Sequence, residues 1–154
     1  MLGTEPQIFE TYVKTGQVVV IFAPVLNHGW YSEQAHQAAE CAADQNYFWP
    51  YHHLLFENQD ALWGDAVGTA KRLALEAGLD AESFNACVDN QTHYNLIYEQ
   101  DRFRQDRGIR GQPVLDINGD IFYGAQPFEV LQKTIEAKLA EAASEATAEP
   151  AVNE

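Results

Sequence analysis

Gly108-Ile109-Arg110-Gly111-Gln112-Pro113-Val114-Leu115-Asp116-Ile117-Asn118-Gly119 reads as a turn, a short strand and a second turn. Gly108 and Gly111 supply permissive backbone, and Pro113 closes the first turn. Val114 to Ile117 is short and mostly apolar. Asn118-Gly119 is a strong hairpin signal, because both central residues of a type I′ turn take positive φ. Ile121-Phe122-Tyr123 is the return strand, ended by Gly124. A proline opening a strand cannot donate to the ladder. Locally that leaves two readings of Pro113: an ordinary trans proline in a βα-type loop, which spacing favours, or a cis peptide presenting backbone to a ligand or partner strand.

Outward from this hairpin the chain is mostly helical. Before it, Thr4 or Glu5 caps a first helix, with Pro6 in its first turn. Ile8, Phe9, Tyr12 and Val13 share one face, and Gly16 is the stop. Val18 to Ala23 is a continuous apolar run that predicts a strand buried on both faces, ended by Pro24. Ser32 is the expected N-cap of a helix with a small-residue face, Ala35, Ala38, Ala39 and Ala42. Further helices are expected from Tyr47 to Asn58, from Asp65 to Ala77 (weakened by Gly68 and stopped by Gly78), from Asp80, and from about Thr92 to Arg107. After the hairpin, Phe128, Leu131, Ile135 and Leu139 line a last helix opened by Pro127. From Ala140 onward the composition is alanine, glutamate, serine and threonine. Residues 140–154 therefore read as a disordered acidic tail.

The order is helix, strand, helical block, hairpin, helix. It predicts an α/β chain of one domain, residues 1–139, with a helical insertion over about 31–107. The 154 residues are 46% hydrophobic and 21% charged, as in a globular protein. A net charge of −14 and a pI near 4.5 exclude the basic face that nucleic acid requires. No stable membrane insertion is expected, since no apolar run approaches a membrane span, and Met1 to Pro6 has no signal-peptide pattern.

Several segments together resemble DsbA-type thioredoxin-fold proteins. They are Tyr12-Val13-Lys14-Thr15-Gly16-Gln17-Val18, Ala38 to Gln45 with Phe48-Trp49 and Tyr51-His52, and Leu54 to Gln59. Ala77-Gly78-Leu79-Asp80, Phe84 to Cys87, Gly108 to Gly119 and Gly124 to Phe128 belong with them. The resemblance spans about residues 5 to 139. It implies an incomplete thioredoxin-like fold with an inserted helical subdomain. It also implies that Gly111-Gln112-Pro113 is a substrate-binding loop with a cis Gln112–Pro113 bond, where an extended or unfolded polypeptide is held. The family's role is dithiol–disulfide oxidation of exported proteins, which implies a periplasmic or other extracytoplasmic setting. No cofactor is expected. A glutathione-dependent relative is a weaker alternative.

The sequence departs from the family at the redox motif. The family's C-x-x-C, at the end of a central strand, has no counterpart here, and catalytic residues are expected to be absent. Exchange requires a thiolate to attack a disulfide sulfur. The strands Val18–Ala23 and Val114–Ile117 are expected to lack a central neighbour, at roughly 1–3 kcal/mol per buried unpaired backbone group. An N-terminally shortened chain, a strand from a second chain, or pairing of the two strands with each other would answer that cost. Gln112 stands where the family often has threonine.

Cys41 and Cys87 are the two cysteines. Read locally they are two buried thiols, and the resemblance implies a second, non-catalytic disulfide between them. No metal site is expected. His52 and His53 are adjacent and point about 100° apart on a helix, as one packing residue and one surface residue. His28, His36 and His93 have no ligand-spaced partners. Phe48, Trp49, Tyr51 and Phe56 line a core or a peptide groove. Asp116 reads as a strand-end residue. Asn90-Gln91-Thr92 fits a weak glycosylation sequon.

Overall fold

A computed structural model describes residues 3–148, which fall into two units. One contains residues 3–21 and 110–148. The other is Phe22–Ile109.

The first unit begins with α1, Glu5–Ile8, which runs on as a π-helical turn, Phe9–Val13. Pro6 sits in the first turn, where its missing N–H is no loss. Strands β1, Val114–Ile117, and β2, Asp120–Tyr123, pair antiparallel with Ile117 opposite Asp120. Asn118 (φ 47°) and Gly119 (φ 99°) make the expected turn. Asp116 Oδ1 accepts from the Gly119 N–H at 2.7 Å, so this exposed carboxylate fastens the turn. Leu115, Ile117 and Phe122 pack with Ile8, Tyr12, Leu131 and Ile135. Two polar contacts hold the N-terminal helix in place. Tyr12 Oη donates to Glu136 Oε1 at 3.0 Å, and Thr4 Oγ1 donates to the Gln126 carbonyl at 2.8 Å. The last helix of the chain is Phe128–Ala148. It continues through Ala148 where a disordered tail is expected from Ala140. Alanine and glutamate are strong helix formers and extend an established helix at little cost. Residues 149–154 of the expected tail lie outside the described residues.

The strand expected at Val18–Ala23 is not formed. Among the described residues the only sheet is β1–β2, so this segment does not pair with Val114–Ile117. Its side chains nevertheless alternate. Val18 and Val20 pack on the first unit's core, while Val19 and Ile21 are 85% and 87% exposed. A continuous apolar run cannot report whether partner backbones flank it, and here one face is covered instead of two.

The helical unit holds α2, Trp30–Ala43; α3, Phe48–Glu57; α4, Gln59–Gly64; α5, Ala66–Glu76; α6, Ala81–Asp89; and α7, Tyr94–Asp106, which makes the last helix α8. The short α4 is additional to the sequence reading. The expected N-cap Ser32 is also displaced. α2 starts at Trp30 behind Gly29, and Ser32 Oγ donates to the Gly29 carbonyl while accepting from the His28 N–H. The small-residue face of α2 is the centre of the core. Ala38, Ala39 and Ala42 are at most 2% exposed and pack with Tyr51, Leu55, Leu73, Phe84 and Val88. Tyr51 Oη, fully buried, donates to the Ala70 carbonyl at 2.8 Å. Gly78 (φ 78°) ends α5, and the Leu79 N–H reaches back to the Ala74 carbonyl at 3.0 Å, as in a Schellman turn.

Gly68 is not a weakness in α5 but a requirement of its cap. Asp65 accepts from the Gly68 N–H at 2.9 Å, and a Cβ on Gly68 would lie 2.1 Å from Asp65 Oδ2. Gly→Ala inside a helix ordinarily gains about 0.5–1 kcal/mol, whereas losing an Asp cap costs about 0.5–2 kcal/mol. Urea unfolding of G68A, D65A and the double variant should therefore show strong coupling. G68A is expected to give no net gain alone and to stabilise by about 1 kcal/mol in the D65A background. Equal effects of G68A in both backgrounds would refute this role of Gly68.

Candidate functional site

Gly111 and Gln112 are exposed and Pro113 is half-buried, at the start of β1. The Gln112–Pro113 peptide is cis. The Pro113 carbonyl accepts from the Gly124 N–H at 2.9 Å, which carries the hairpin ladder one residue past the β1–β2 register and fixes the base of the loop. Gly111 faces open space, and a Cβ added there would meet no heavy atom within 4 Å.

In the helical unit Cys41 and Cys87 form a disulfide between α2 and α6, with Cα atoms 5.8 Å apart. The sequence separation is 46 residues. On chain-entropy grounds, closing that loop is worth about 4 kcal/mol. Cys41 is 1% exposed and Cys87 half-buried. Beside them lies a polar group that sequence spacing conceals. His93 Nε2 is 2.8 Å from Asp44 Oδ2, which is itself 3.7 Å from Cys87 Sγ. Gln37 Oε1 accepts from the His93 N–H at 3.1 Å and holds the start of α7 against α2. Asp44, Cys87 and His93 come from three separate elements, and only helix packing brings them together.

The helical unit also contains an aromatic group built on Phe22. Its ring meets His52 at 4.9 Å, and His36 and Phe48 each at 5.4 Å between centroids. His52 further touches Phe56 at 4.8 Å. His52 is the packing histidine and His53 the surface one, as expected, with His53 Nε2 3.4 Å from Glu57 Oε1. Tyr51 is core, while Phe48, Trp49 and Phe56 surround His52. Burial lowers both His36 and His52 to a pKa of about 4. Nearby, buried Asp101 accepts from the Leu26 N–H at 3.0 Å and from Arg104 Nε at 3.0 Å. Arg104 in turn donates to the Ile109 carbonyl. Burial opposes the Asp101 charge, but these bonds and that of Gln105 prevail and lower its pKa. The i,i+3 spacing of Asp101 and Arg104 is the sequence signal available for this anchor.

A family profile described as thioredoxin matches residues 2–137. The chain belongs to this thioredoxin family, and its fold is the family's, with a small two-stranded sheet and a helical insertion. Its resemblance to the DsbA-like branch is met by disulfide bond formation protein D of Bacillus subtilis, 26% identical over 148 residues, covering 87% of this chain and 63% of that protein. The chain thus spans less than two thirds of that relative. The oxidised form of BdbD from Bacillus subtilis superposes with a TM-score of 0.75 at 24% identity, over 88% of this chain and 76% of that one. A Na(+)/H(+) antiporter NhaA 3 of Salinispora tropica is 28% identical over 141 residues, which cover 90% of this chain and 21% of the antiporter.

The two depressed histidines set a pH dependence. Above their ordinary pKa of 6.5 both are neutral, folded or unfolded. As pH falls below 6.5 the unfolded chain takes up protons that the folded chain refuses until about pH 4. Stability should fall across that window by up to about 1.4 kcal/mol per pH unit for each histidine. Asp101, held below 3.8, contributes only at lower pH. Urea midpoints measured from pH 7 to 4 should show the decline, and His52→Phe should flatten it. An unchanged slope in that variant would remove His52 from the account.

Proposed function

We propose that this chain is a DsbA-like oxidoreductase fold that acts on exported polypeptides and that, in this form, binds them without exchanging disulfides. The observation that carries the reading is the state of its sulfur. The sequence has no C-x-x-C, and its two cysteines are bonded to each other in the helical unit with Cys41 buried. A thiolate able to attack a substrate disulfide is therefore lacking. A disulfide of this kind persists in oxidising compartments, which supports an extracytoplasmic setting.

The binding element in this proposal is Gly111-Gln112-Pro113. Its exposed first two residues can offer backbone and a polar side chain to an extended polypeptide. The outward-facing Val19 and Ile21 support a second element, a partner strand from another segment or another chain. Burying two such side chains is worth about 1.5–3 kcal/mol each.

Two measurements test the proposal. In an insulin reduction assay with dithiothreitol, the chain should leave precipitation at the rate of buffer alone, and acceleration would show that a redox centre is present after all. Fluorescence anisotropy with a labelled, reduced and unfolded polypeptide should show saturable binding. Gly111→Val fits the open space at that position, so it should keep the melting temperature and weaken binding severalfold. Full binding by that variant would exclude the loop as the binding element.

A further inference from the structure

We infer that Cys41, Cys87 and His93, with Asp44, form a redox-gated site for a soft divalent cation such as zinc. The site is closed while the disulfide stands and opens on reduction. The two sulfurs and a His93 ring nitrogen all lie within 4.8 Å of one another. These are the ligand types that zinc takes in tetrahedral sites, with Zn–S near 2.3 Å and Zn–N near 2.0 Å. Asp44 Oδ2 is 2.8 Å from His93 Nε2 and 3.7 Å from Cys87 Sγ, so a carboxylate stands beside two of the three donors and adds negative charge next to the site.

The framework around the site is fixed independently of the sulfur bond. Cys41 and Asp44 lie one helical turn apart at the end of α2, so their side chains share a face. Gln37, one turn earlier on that helix, binds the His93 backbone N–H at 3.1 Å and so sets where the imidazole begins. Gln45, next to Asp44, clamps the start of α6. Its Oε1 accepts from the Asp80 N–H at 2.8 Å, and its Nε2 donates to the Asp80 carbonyl at 3.2 Å. Cys41 and Cys87 thus keep neighbouring backbones when the bond between their sulfurs is broken. The burial of Cys41 and half-burial of Cys87 and His93 would leave a bound cation one open side.

The chemistry balances with a dithiol reductant. The reductant gives two electrons and two protons, becomes a disulfide, and leaves Cys41 and Cys87 as thiols. A divalent cation then displaces both thiol protons to solvent and takes the two thiolates and the neutral imidazole, with a water on its open side. The same two cysteines therefore join α2 and α6 either by a disulfide or through a metal ion.

The test uses the full chain, reduced with a phosphine and freed of it under anaerobic conditions, titrated with Co²⁺ as a spectroscopic stand-in for zinc. The expected result is a thiolate-to-cobalt charge-transfer band with the visible bands of tetrahedral cobalt. It should saturate at one cobalt per chain, be abolished by zinc, and be absent from the oxidised chain. Zinc should raise the melting temperature of the reduced chain only. Loss of a ligand should be no milder than loss of an outer-shell partner, roughly 10–100-fold in affinity. His93→Gln is therefore expected to weaken cobalt binding at least about tenfold while leaving the oxidised chain's melting unchanged. Cys87→Ser should abolish the charge-transfer band. The inference is overturned by a reduced chain that gives no such band, by saturation at one cobalt per two chains, or by unchanged affinity in His93→Gln.

Discussion

The helical unit depends on the close approach that α2 permits. Ala38, Ala39 and Ala42 present almost no side-chain bulk, so α3, α5 and α6 can bring Tyr51, Leu73 and Phe84 directly against its backbone. Larger residues there would force the helices apart or off their rotamers, at roughly 1–3 kcal/mol for each overpacked site. The close packing has a second consequence. It brings α6 near enough to α2 for Cys87 to meet Cys41, and α7 near enough for His93 to meet Asp44. The crosslink and the polar group beside it follow from the same run of alanines.

The unit around the hairpin is organised differently. Its core is the single layer between α8, the N-terminal helix and one face of β1–β2. A two-stranded ribbon is marginal by itself and needs such a cover. Residues 18–21 add Val18 and Val20 to that core and turn Val19 and Ile21 outward. The alternation is that of a strand, but a ladder requires backbone partners that no described segment provides.

The turns, caps and stops are legible in the sequence because each is a local torsional or hydrogen-bond requirement. Asn118-Gly119, Gly78 and Asp80, whose Oδ1 accepts from the Ser83 N–H to cap α6, do in the structure what their chemistry requires of the two or three residues around them. The boundary expected at Ser32 falls elsewhere because Gly29, with positive φ, supplies the helix start, and the serine hydroxyl reinforces it from inside. Gly68 looks like a propensity cost in the sequence, since the carboxylate it makes room for belongs to another residue.

The sequence by itself determined the helical faces, the hairpin and the thioredoxin-family resemblance, all carried by short-range periodicity and turn chemistry. It also settled that C-x-x-C is not in this chain. Only the tertiary structure decided that Cys41 and Cys87 are bonded, that His93 and Asp44 stand beside them, and that His36 and His52 share an aromatic environment. Those contacts join residues from different elements. Their distances depend on how the helices pack, which no spacing along the chain encodes. The status of Val18–Ala23 falls in the same class, because hydrophobicity favours burial but pairing depends on which other backbone lies alongside.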